Sequence, residues 1–122
     1  MTFFFDENMP KKLVEALKHL GRDVCHATGE FDRGTPDTEW IPEVARREWV
    51  AVTQDGSILR KKNEYALARS CGLRLFVVTG ASGFWKLVVT VVRNFEEMER
   101  ISEAERPRCY QIRLKGPPKP LR

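Results

Sequence analysis

The sequence lacks any apolar run long enough to cross a bilayer, any close cysteine pair, and more than two histidines. Its longest hydrophobic stretches, Phe3–Phe5 and Leu87–Val92, fall far short of the roughly 20 residues a spanning helix needs. No membrane role is therefore expected. A charged region followed by an apolar run and a small-residue cleavage site is also missing from the N-terminus, so a cytoplasmic location is expected. Cys25, Cys71 and Cys109 are odd in number and widely spaced, without a C-x-x-C pair. They read as small packing residues in a reducing compartment. His19 and His26 have no partner ligand at i+3 or i+4, which argues against zinc. There is no internal repeat.

What is present describes a folding chain. Apolar residues make up 42% of the 122 positions and charged ones 31%, the balance of an ordinary globular domain. That length fits one core, assigned to residues 1–115. Residues 116–122, rich in Pro and basic, read as a flexible tail. The net charge of +4 is uneven. Arg106 to Arg122 holds six bases and no acid, whereas residues 1–105 hold 15 bases against 17 acids. A basic extension on an acidic body suits a polyanion such as RNA, and serves solubility equally well.

The hydrophobic pattern alternates strand and helix. Thr2–Phe5 is β-branched and aromatic and stops at Asp6. Pro10 opens a helix carrying Leu13, Val14, Leu17 and Leu20, and Gly21 ends it. A short strand over about 23–27 follows, then a surface loop from Thr28 to Thr35. Thr35-Pro36-Asp37 starts a helix whose buried face includes Trp40, Ile41, Val44, Ala45 and Trp49, with Pro42 expected within its first turn. Val50–Thr53 is a third strand, Glu64–Cys71 a short helix, and Leu73–Thr79 a fourth strand. Apolar residues from Phe84 to Ile101 recur at three and four, which predicts a long helix. Cys109–Leu114 is a last strand. This order implies an α/β fold with a mainly parallel sheet covered on both faces, and ligands bind such sheets beyond the carboxyl ends of the strands.

Acids stand at those ends. Asp6 follows the first strand, Asp55 follows the third, and Asp37 heads the helix between them. Gathered carboxylates repel one another and call for a cation. Mg²⁺ or Mn²⁺ suits oxygen donors and takes one or two carboxylates alongside phosphate oxygens, which points to phosphodiester hydrolysis. Each residue also has a plainer reading. Asp6 or Asn8 caps a helix, Asp37 favours a helix dipole with Glu39 competing for its role, and Asp55-Gly56 forms a turn. Arg60, Lys61 and Lys62 form a solvated face or hold RNA phosphates. Trp85 reads as core or interface before a base-stacking surface.

The order of Phe-Phe-Asp-Glu-Asn-Met-Pro from Phe4, Gly-Thr-Pro-Asp-Thr-Glu-Trp-Ile from Gly34 and Val-Ala-Val-Thr-Gln-Asp from Val50 resembles the short PIN-like proteins related to VapC-type toxins, over most of residues 3–80. The resemblance implies a three-layer α/β/α PIN-like fold. It further implies a divalent-metal ribonuclease, commonly the toxin half of a toxin–antitoxin pair held by a small cognate antitoxin protein. A homodimer is a separate expectation, apart from the resemblance. Carried over by motif, Asp6, Asp37 and Asp55 are the metal and catalytic acids, and Thr53 is the polar residue of the Thr-x-Asp turn. Ser57 stands where many relatives have another Asp, which leaves open a catalytically impaired module that binds RNA or an antitoxin. A receiver-like signalling domain fits less well, because Asp37 heads a helix.

Overall fold

The computed structural model describes residues 1–54 and 61–121. Five parallel strands, β1 (Phe3–Phe5), β2 (Val24–His26), β3 (Val50–Thr53), β4 (Arg74–Val78) and β5 (Cys109–Ile112), form a sheet in the order β2-β1-β3-β4-β5. A short β6 (Lys119–Pro120) adds antiparallel to β5 at the edge. Parallel neighbours require crossovers, and helices supply them on both faces.

Side-chain alternation explains the layers. Phe3 and Phe5 point to one face, where α1 (Lys11–His19) and the long helix Phe84–Ala104 bring Leu13, Leu17, Val91, Phe95 and Met98. Phe4 points to the other, where α3 (Asp37–Arg46) brings Trp40, Ile41 and Val44, and the helix Lys62–Ser70 brings Ala68. A strand buried on both faces must be apolar throughout, as Phe-Phe-Phe and Val-Ala-Val are. The result is the expected three-layer α/β/α architecture. Among the described residues, no helix is long and apolar enough to cross a membrane.

Several expectations shift in detail. Leu20 follows α1 as its C-cap and is 69% exposed, so the buried face of that helix is Leu13, Val14 and Leu17. Gly21, with φ of 82°, takes the left-handed turn there. The stretch read as loop from Thr28 begins inside a single helical turn, α2 (Ala27–Glu30). Its N-terminus is capped by the His26 side chain, which accepts from the Thr28 amide, an arrangement periodicity does not reveal.

Pro42 lies in the second turn of α3 rather than the first. The carbonyl it would leave without an amide belongs to exposed Thr38, where water can serve, and buried Trp40, Ile41 and Val44 hold the helix through it. Trp49 falls beyond that helix, half-buried, with the Arg47 guanidinium 4.7 Å from its ring centre. The C-terminal stretch read as a tail is extended, and part of it pairs as β6 while Leu121 packs on the α3 side of the core.

Candidate functional site

At the end of β1 the chain passes from three buried phenylalanines to Asp6, itself only 7% exposed. The Asp6 amide continues the ladder by donating to Val52 O at 3.1 Å, and its carbonyl accepts from Met9 N at 3.0 Å as the chain turns into α1. Its carboxylate accepts from the Asn8 amide at 3.2 Å and from the hydroxyl of buried Thr53 at the end of β3. A desolvated carboxylate requires such donors. Asn8 supports this turn through its backbone, since its carbonyl accepts from Gln54 Nε2 at 2.8 Å. Two neighbouring strand ends are thereby clamped around Asp6.

Asp37 opens α3 after Pro36, and its Oδ1 accepts from Trp40 Nε1 at 2.9 Å. The Trp40 ring packs against Phe4 at 5.3 Å between centroids, so a core contact fixes the carboxylate's support. Asp6 and Asp37 line one cleft, together with Glu7, Asn8, Thr28, Asp32 and Thr35. The wall is braced by His26, whose Nε2 donates to Met9 O at 2.7 Å while Nδ1 accepts from the Thr28 hydroxyl at 2.8 Å. That imidazole packs, as expected of an isolated histidine.

Glu7 and Asp32 escaped sequence reasoning as site residues. The Glu7 carboxylate accepts from Gly34 N at 2.9 and 3.2 Å, tying the turn after β1 to the 32–35 turn. Asp32 holds that turn through its carbonyl, which accepts from Thr35 N and from the Thr35 hydroxyl. The available signals were an acidic, glycine-containing stretch over 28–35 for Asp32, and for Glu7 its place beside Asp6 beyond a strand's carboxyl end. Glu39, the alternative to Asp37, is exposed on a neighbouring cleft with Glu30 and Asp32. Lys61 and Lys62 are exposed at the start of their helix. Asp55, Ser57 and Arg60 lie outside the described residues.

The cleft sets hard oxygen donors beside Ala27, Phe31 and Trp40. Its described lining has four carboxylates, an asparagine and two threonines, with no lysine, arginine, histidine or cysteine. Such a set fits Mg²⁺ or Mn²⁺ and not the nitrogen and sulfur preference of zinc. Among the described residues, no three His, Cys, Asp or Glu group closely enough to hold a metal together. Mg²⁺ binding through one or two carboxylates plus water and substrate oxygens is compatible with that spacing. Cys25 and Cys109 are held as thiols. Burial, then Glu30 and Asp23, pushes Cys25 up to about 11, and burial raises Cys109 to about 11.

A family model described as a PIN-like domain matches residues 1–80, the segment from β1 into the turn after β4. No curated protein and no solved structure matches the chain.

Proposed function

Because this chain belongs to the PIN-like domain family, whose members are commonly nucleases, we propose that it is a divalent-metal-dependent endoribonuclease that hydrolyses RNA phosphodiester bonds. One observation carries the reading: a buried strand-end carboxylate, Asp6, shares a cleft with Asp37 in an oxygen-rich setting. Asp6 and Asp37, with Asp55 from the sequence following β3, hold Mg²⁺ or Mn²⁺ in this proposal.

The chain's own residues divide the work. Thr53 and the Asn8 amide orient the Asp6 carboxylate, and Trp40 orients that of Asp37. Orientation fixed before substrate arrives leaves less to reorganise during reaction. Lys61 and Lys62 attract the substrate's phosphates. Bound Mg²⁺ or Mn²⁺ supplies Lewis acidity and a more acidic water.

The purified chain with Mn²⁺ and mixed RNAs tests this. Asp6→Asn should lower cleavage by at least about 100-fold, in line with the loss of a metal-site group, and EDTA should abolish it. Cleavage unchanged in that variant rejects the assignment. The toxin role rests on the motif resemblance. Expression in cells should arrest growth for the native chain and not for Asp6→Asn, and a small co-expressed antitoxin should relieve it.

A second reading is favoured by Ser57 and by the lack of a close group of three metal-binding side chains among the described residues. It is an impaired module that binds RNA or an antitoxin without cutting. Binding indifferent to EDTA and steeply weakened by salt, with no cleavage under any divalent metal, selects it.

A further inference from the structure

The long helix carries two aromatics that the core does not use. Trp85 is 76% exposed and Phe84 49%, and Ser82, Gly83 and Lys86 around them are exposed too. Among the described residues, neither ring stacks against another aromatic. Of the core or interface role expected of Trp85, such exposure rules out the core. Ala81 and Val88 on either side pack against the core, so the Phe84–Lys86 turn is held in place while its side chains project.

Register places this turn at the same edge of the sheet as the candidate cleft, two strands from β1 and in the helix layer opposite α3. Asp6 donates to Val52 O, and Thr53 pairs with Val77, so β1, β3 and β4 end at a common level. With neighbouring strands about 4.8 Å apart, β4 leaves the sheet roughly 10 Å from β1. The chain leaves β4 on that side, and the Thr79 hydroxyl is held by Gln111 Nε2 at 2.7 Å. The long helix then starts at the same edge. So does α1 in the same layer, bringing exposed Lys11 and Lys12. Rings and ammonium groups thus share the sheet edge at which the acidic cleft opens.

We propose that Trp85, assisted by Phe84 and Lys86, is a base-stacking platform for single-stranded RNA running across this edge from the candidate cleft. This rests on the nuclease reading for the identity of the strand. An exposed ring offers every base a π-face, and adjacent lysines neutralise phosphates, which is the usual chemistry of sequence-tolerant single-strand binding. Charge favours a polyanion here, because the first turn of the long helix contains Lys86 and no acid.

Binding of the full chain to a fluorescent 12-nucleotide oligouridine in EDTA, where cutting is suppressed, tests the platform separately from catalysis. Trp85→Ala should weaken binding by about 10-fold or more, Trp85→Phe should retain most of it, and Lys86→Gln should flatten its salt dependence. Thermal melting of all three variants should match the native chain. A native affinity unchanged by Trp85→Ala, duplex RNA bound as well as single strand, or self-association through Trp85 without RNA binding would each overturn the proposal. A chain that binds through Trp85 but never cuts refutes the nuclease reading and leaves the platform standing. Full cleavage and binding by Trp85→Ala does the reverse.

Discussion

At the carboxyl end of β1 and in the middle of the long helix, the protein buries polar side chains about equally deeply, but it completes them differently. Thr90 donates to Lys86 O at 2.7 Å, and Asn94 Nδ2 donates to Thr90 O at 2.7 Å and Arg113 O at 3.1 Å. Those groups close on the backbone and join helix to β5. Asp6 and Thr53 bond each other, and Asp6 also accepts from the Asn8 amide, but they do so beside a cleft lined with further acids. Burial with closure serves stability, whereas a buried anion bordering an acidic cleft is costly to keep and points to a ligand.

Substitutions can break that contrast, and the largest effect belongs at Asp6. Asp6→Asn should lose cleavage while leaving melting temperature unchanged or raised, because a repelling charge leaves the cleft. A matching drop in both would make Asp6 merely structural. Thr53→Val keeps the shape and removes the hydroxyl that orients Asp6, so metal-dependent activity should fall about 10- to 100-fold, as for other supporting partners of a metal ligand. Activity within twofold of the native chain would separate the two strand ends.

Asn94→Ala should do the opposite. It should cost about 1–3 kcal/mol in urea unfolding by stranding a buried carbonyl, with specific activity retained. Loss of activity without loss of stability there would erase the distinction between the regions.

The smallest effect concerns neither region and calibrates both. Bonds from Arg46 first and then Arg47 hold Glu43 down to about 2, from an ordinary 4.5. A carboxyl depressed on folding contributes stability above its unfolded value and loses it as pH falls through the folded one. Glu43→Gln should therefore melt slightly lower than the native chain at pH 7, with the difference gone near pH 2. A constant gap would mean packing, not charge, is responsible.

The contrast also shows what a sequence can reveal. Strands buried on both faces announce themselves as apolar runs, so Phe3–Phe5 and Val50–Thr53 were legible almost residue by residue. The placement of Asp6 at a strand end was legible because a carboxylate ends the apolar run, and that of Asp37 because it opens a patterned helix. Pro42 misled because local propensity placed it in a first turn, while tertiary contacts from Trp40 and Ile41 carried the helix past it. α2, Glu7 and Asp32 were hidden because their placement depends on contacts from His26 to Thr28 and from Glu7 to Gly34. The edge pairing of β6 was hidden likewise, since two residues carry no period.

Anomalous diffraction from a crystal soaked in Mn²⁺ tests the central claim most directly. The account predicts a manganese peak bonded to the Asp6 carboxylate on the cleft it shares with Asp37. A fully soaked crystal with no peak there, or with manganese bound only elsewhere, would contradict it.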